Sequence, residues 1–96
     1  GVVRVDGVDV SAADVAAHLG TDRRRVYPLV RHEADELVQA LVRQQSRIRV
    51  QLDVLLDAAD DAARDAAVAA LEPLLDAHVE DEERRLFPVI ERRLPN

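Results

Sequence analysis

Cysteine is absent from this chain of 96 residues, so neither a disulfide framework nor a thiolate metal site can be built, and any bound metal must be held by imidazole and oxygen. Glycine and proline are scarce, at three and four residues. With so little turn chemistry, and an apolar fraction of 48% made mostly of Ala, Val and Leu, the composition predicts a helix-rich fold. Long apolar runs are missing, as is a signal-peptide pattern, which leads to the expectation of a soluble, cytoplasmic protein with no membrane partner. Positive charge is in deficit: the net charge of −6 argues against nucleic acid or anionic lipid as a partner. There is no glycine-rich phosphate loop, and neither Ser11 nor Ser46 has a base at helical spacing, so no hydrolytic or transferase site is read. The length suits one domain with a single modest core. The chain opens on Gly rather than Met, as expected of a processed or excised piece of something longer.

Aromatic residues are reduced to Tyr27 and Phe87, and these two expose an internal repeat. Residues 17–30 read AHLGTDRRRVYPLV and residues 77–90 read AHVEDEERRLFPVI. Aligned without a gap, His18 meets His78, Asp22 meets Glu82, Arg24 and Arg25 meet Arg84 and Arg85, Tyr27 meets Phe87, and Pro28 meets Pro88. Each copy is expected to be one element of a duplicated supersecondary unit.

Residues 1–10 alternate Val with polar residues around Gly7 and read as an extended arm or short strand, with no obvious partner strand in the rest of the chain. Residues 11–96 form the helical domain. Ser11 with Asp14 resembles a helix N-cap, and helical spacing then places Val15, His18, Asp22, Val26 and Leu29 on one face, with Gly20 and Thr21 as a potential break. A second helix is predicted from about Glu33 to Ala58, burying Leu37, Leu41, Ile48, Leu52 and Leu55, with Gln45 in the same stripe. A turn over 57–61 leads to a third helix that runs to Leu94 and is stopped by Pro95, with Pro73 and Pro88 as potential kinks. Its buried stripe is Leu71, Leu74, Leu75, His78, Glu82, Leu86 and Val89. The fold class is therefore all-α, an up-down bundle with three long helices in this chain.

In each copy of the repeat an imidazole stands four residues before a carboxylate, so both side chains leave the same face of a helix. A carboxylate on a core face needs a partner such as a metal, an arginine or a histidine. If the two helices pack side by side, His18, Asp22, His78 and Glu82 converge in the bundle interior, where iron, zinc or manganese would suit them. His32 with Glu36 has the same spacing but lies opposite the Leu37, Leu41 and Ile48 stripe, so it is read as solvated. Glu83 and the Arg23–Arg25 run are likewise read as exposed.

The segment His78-Val-Glu-Asp-Glu82-Glu83-Arg-Arg-Leu86-Phe87-Pro88 resembles the second half of a hemerythrin-like HHE cation-binding domain, whose motif is His-x-x-x-Glu-Glu followed closely by Leu-Phe-Pro. His18-Leu-Gly-Thr-Asp22 through Val26-Tyr27-Pro28 is similar to the first half, and the resemblance covers positions 11–94. It implies a four-helix bundle, a mono- or di-iron non-haem centre, and binding or sensing of dioxygen, iron or redox state. Three features depart from the family pattern. Gln45 stands where a lone His is expected, the helix that should precede residue 10 is missing, and Asp22-Arg23 replaces Glu-Glu. Three helices leave an apolar groove, so a second copy is expected to cover it in a homodimer. Two other readings compete: a metal-free dimerisation or interaction module derived from the same fold, and a helix-turn-helix over residues 11–30.

Overall fold

The computed structural model describes residues 2–94. Its elements run β1 (Val2–Val5), β2 (Val8–Ser11), α1 (Ala12–Thr21), a π-helical turn (Asp22–Val26), α2 (Tyr27–Val30), α3 (Asp35–Leu56), α4 (Asp61–Asp81), a second π-helical turn (Glu82–Leu86) and α5 (Phe87–Arg93). The segments on either side of each π turn are continuous, so the chain forms three helical rods over 12–30, 35–56 and 61–93. The fold is all-α in its bulk, as expected, and none of the helices among the described residues is long and apolar enough to cross a membrane.

The N-terminal arm supplies its own partner strand. β1 and β2 pair antiparallel with Val3 opposite Val10 and Val5 opposite Val8. Asp6 and Gly7 form the connection, at φ 51° and 79°. Both lie in the left-handed region that a two-residue type I′ loop requires, and Asp-Gly is the dipeptide best suited to it. The hairpin is fastened to α4, where Glu72 Oε2 accepts from Arg4 N at 2.7 Å and Asp76 Oδ1 accepts from Asp6 N at 3.1 Å. Carboxylates one helical turn apart thus meet alternate amides of an edge strand, whose spacing of about 6.6 Å is similar. Val3 is fully buried among Val15, Ile48 and Leu71.

The first rod starts where Ser11 Oγ accepts from Asp14 N at 3.0 Å, the N-cap read from the sequence. Gly20 and Thr21 do not break it, and Thr21 Oγ1 donates to the Ala17 carbonyl within the helix. An unbroken run over 12–30 excludes a helix-turn-helix there. The second rod is shorter at both ends than the predicted 33–58, because the backbone turns over 31–34 with Glu33 N and Ala34 N both donating to the Val30 carbonyl. In the third rod Asp60 caps α4 through Ala63 N, and Pro73 sits exposed within α4 without ending it. Leu94 is extended, as a residue before proline prefers; Pro95, the predicted stop, lies outside the described residues.

Both π turns precede a proline. Tyr27 N–H donates to the Asp22 carbonyl and Phe87 N–H to the Glu82 carbonyl, one residue farther back than in an α-helix. Pro28 and Pro88 have no N–H, and in an α ladder their rings would crowd the carbonyl four residues back. Widening the turn relieves that contact, so Pro88 marks the end of a π turn rather than a kink. In the first copy the buried face differs from the predicted one, beginning at His18 ahead of the π turn. Val15, Leu19, Asp22, Tyr27 and Val30 are buried, while His18 and Leu29 are exposed and Val26 is half-buried. The predicted stripe Val15, His18, Asp22, Val26, Leu29 is corrected accordingly. Along α3 and the third rod the predicted residues are buried, apart from a half-buried Leu74.

The core divides in two. One cluster gathers Val3, Val15, Leu19, Ile48, Leu52, Leu55, Leu71 and Leu75; the other gathers Tyr27, Val30, Leu37, Val38, Leu41, Leu86 and Val89. Truncating a fully buried member such as Leu41 to Ala should cost about 2–5 kcal/mol. Between the clusters, at successive positions along each rod, lie Asp22, Gln45, His78 and Glu82, the buried polar residues of the described chain.

Candidate metal centre

The first rod brings Asp22 to this polar layer and the third brings His78 and Glu82. Asp22 and Glu82 each open a π turn, so the widened backbone places a carboxylate at the same point in both copies. His18 Nε2 lies 3.4 Å from Asp22 Oδ2 and 3.9 Å from Glu82 Oε1. His78 Nε2 approaches the same Glu82 Oε1 at 3.3 Å. One carboxylate oxygen therefore faces two imidazole nitrogens drawn from the two halves of the repeat.

Of the four residues singled out from the sequence, three form one group, with ligand atoms of His18, Asp22 and Glu82 within 4.8 Å of one another, and His78 stands beside it through Glu82. Around a tetrahedral cation with bonds of about 2.1 Å, neighbouring donors stand about 3.4 Å apart. The observed 3.3–3.9 Å separations match that spacing. Asp22 Oδ2 and His78 Nε2 are both buried without a hydrogen-bond partner, which is costly in a low-dielectric interior and is relieved by a cation. The residues present fit a metal ion.

His78 is oriented by groups that the sequence did not point to. Gln44 Nε2 donates to Asp81 Oδ2, an acceptor, which turns Gln44 Oε1 toward the ring. His78 Nδ1, 2.7 Å from that oxygen, must then carry the proton and donate it, leaving the Nε2 lone pair facing Glu82. Such a partner on the far nitrogen is the usual support of a metal-bound histidine. Gln44 and Asp81 are 37 positions apart, so nothing local in the sequence announces their contact. Burial holds the His78 imidazole below its ordinary value of 6.5, with the charge of Asp22 pulling the other way. Burial, then the adjoining Asp22 carboxylate, push the Glu82 carboxyl up to about 8. Two carboxylates packed together in a buried layer make one proton hard to remove, and a cation would displace it.

Gln45 does not join the ligands. It is buried and donates through Nε2 to the Tyr27 hydroxyl at 3.1 Å. Burial, then the charges of Glu82 and Asp22, raise the Tyr27 phenol well above its ordinary range, so it stays protonated beside the site. His32, Glu36, Glu83 and Arg23–Arg25 are exposed, as read from the sequence. His18 differs from His78 in being largely solvent-facing, at 64% against 2% side-chain exposure, which leaves the centre open on that flank.

The family model described as hemerythrin HHE cation binding domain matches residues 11–94. The chain belongs to that family. Comparison with curated proteins and with solved structures gave no match. Membership in the hemerythrin HHE family indicates cation binding, and the imidazole and carboxylate atoms that converge here are a chemically suitable donor set.

Proposed function

We propose that this hemerythrin-type domain holds one non-haem iron ion through His18, Asp22, Glu82 and His78 and serves to bind or sense dioxygen, iron or redox state. The observation that carries this reading is the approach of both imidazoles to the single buried oxygen Glu82 Oε1. Iron bound there would supply reversible redox chemistry at positions left open by so small a ligand set. Asp22 and Glu82 contribute negative charge, His78 is held in the tautomer that ligates, and Tyr27 keeps a hydroxyl next to the carboxylates. Zinc or manganese would meet the same donors.

Elemental analysis of the protein purified without chelator, beside a His78→Ala/Glu82→Ala variant, tests the reading. Iron at one ion per chain, lost in the variant, is the expected result. Metal-free protein in both samples, with fold and oligomeric state unchanged, would sink it.

A second reading, a dimerisation module, is favoured by an exposed stripe on α3 and its C-cap residue Asp57. Arg47, Val50, Val54 and Asp57 follow one another at spacings of three and four on the solvent face. A two-fold antiparallel pairing of two copies would set Val50 of each against Val54 of the other and Arg47 against Asp57. Sedimentation showing a dimer that Val50→Glu dissociates would support it, whereas a monomer at all concentrations would remove it.

A further inference from the structure

The hairpin does more than cover the bundle. Between it and the helices lies a half-open pocket of about 250 Å³, walled by Val5 and Val10 from the hairpin, Val15 from α1 and Leu75 from α4, with His18 and His78 as the polar residues among those that line it. Val5 and Val10 fall outside the residues 11–94 that match the family model. A dry apolar cavity of about 150 Å³ accepts benzene, and one of this size accommodates more than a diatomic gas. No charged side chain lines it, which disfavours an ion that would have to shed its water. Its polar end is formed by the His18 and His78 rings.

We propose that this chamber binds a neutral, mostly apolar organic molecule of about six to ten non-hydrogen atoms carrying one hydroxyl, its apolar body against the hairpin valines and its hydroxyl at the His18–His78 end. The proposal rests on the metal reading for what the hydroxyl would meet, and on the cavity alone for the binding itself. Glu72 and Asp76, which hold the hairpin amides, set the position of the wall and hence the width of the chamber.

The test is an NMR titration of the full chain with phenol, in metal-free and in zinc-loaded protein, following valine and leucine methyls and backbone amides. Saturable shifts confined to the chamber, with nuclear Overhauser contacts from the phenol ring to the Val5 and Val10 methyls, are expected. Val5→Phe and Val10→Phe, which fill the space from different strands, should weaken binding about tenfold or more, a difference of about 1.4 kcal/mol. Val2→Phe, on the opposite and exposed face of the same hairpin, should leave it unchanged. Unsaturable or scattered shifts, missing contacts to Val5 and Val10, or equal effects of the three variants would overturn the proposal. Phenol binding in a protein that takes up no zinc would leave the chamber standing and the metal reading failed. Zinc uptake without phenol binding would do the reverse.

Discussion

The two copies of the repeat share a backbone and differ in what they bury. Each has an imidazole four residues before a carboxylate, a π turn opened by that carboxylate and a proline just after the turn. Yet Tyr27 is 3% exposed and its counterpart Phe87 46%, while Leu29 is 59% exposed and its counterpart Val89 8%. His18 looks outward where His78 is enclosed. The third rod lies along α3 for much of its length across the short turn at 57–60 and also holds the hairpin, whereas the first rod meets α3 more sparingly. The repeated residues thus encode the local backbone and the positions of the imidazole and the carboxylate. The neighbours decide which flank becomes the interior, because burial depends on what is available to pack against each face.

That comparison can be broken most sharply at the ligands. Glu82→Ala removes the oxygen that both imidazoles approach, and metal affinity measured by competition with a chelator should fall by roughly 100-fold or more. His18→Ala should reduce affinity less, since its side chain lies largely in solvent, and should leave thermal stability within about 0.5 kcal/mol of the parent.

Gln44→Leu tests the enclosed copy alone. Without the Gln44 carbonyl, His78 loses the partner that fixes its tautomer, and metal affinity should fall about 10- to 100-fold. The exposed His18 has no such hydrogen bond among the described residues. If Gln44→Leu leaves affinity unchanged, His78 is not a ligand and the two copies differ more than proposed.

Exchanging the aromatic residues sharpens the contrast further. Tyr27→Phe leaves the buried Gln45 amide without an acceptor and should cost about 1–3 kcal/mol in denaturant unfolding. Phe87→Tyr adds a hydroxyl at a half-exposed position and should change stability by less than about 0.5 kcal/mol. Equal costs would mean that the two copies are buried alike in solution.

The smallest expected effect is on the pH dependence of the metal-free protein. Glu82 holds its proton more tightly in the folded chain, up to about 8, than at its ordinary 4.5, so folding stability should fall as pH rises through that window. His78 is shifted below 6.5, so its contribution rises with pH and is complete above that value. Between about 6.5 and 8 only the decline from Glu82 should remain. Thermal unfolding across that range should show it, Glu82→Gln should flatten it, and saturating zinc should reverse it because the cation replaces the proton.

Much of the fold is legible in the order of the residues. The stripe Leu37, Leu41, Ile48, Leu52, Leu55 and the stripe of the third helix follow from helical spacing alone, and both are buried but for the half-buried Leu74. The four metal-ligand candidates are legible from the repeat and do converge. The hairpin is announced by Val-Arg-Val-Asp-Gly-Val-Asp-Val, whose central Asp-Gly is a turn signal flanked by alternating valines. Reading those residues as an unpaired arm overlooks that the strand can fold back on itself. The shifted stripe of the first copy is harder to foresee, because the same π turn leaves the predicted stripe of the third rod buried, and the face of the first rod is chosen by what packs against it.

What the sequence by itself determined is local: helix, cap, proline-driven π turn, and an imidazole and a carboxylate one turn apart, all set by contacts within about six residues. What only the tertiary structure decided is the pairing of distant groups. That His78 and His18 meet at one oxygen of Glu82, that Gln44 bridges Asp81 to His78, that Gln45 serves Tyr27, and that two hairpin valines wall a chamber beside the imidazoles are consequences of how three rods and a hairpin pack. Packing selects one face of each helix from several that the local pattern permits, because the chosen arrangement buries both apolar clusters while gathering the polar side chains into one layer between them.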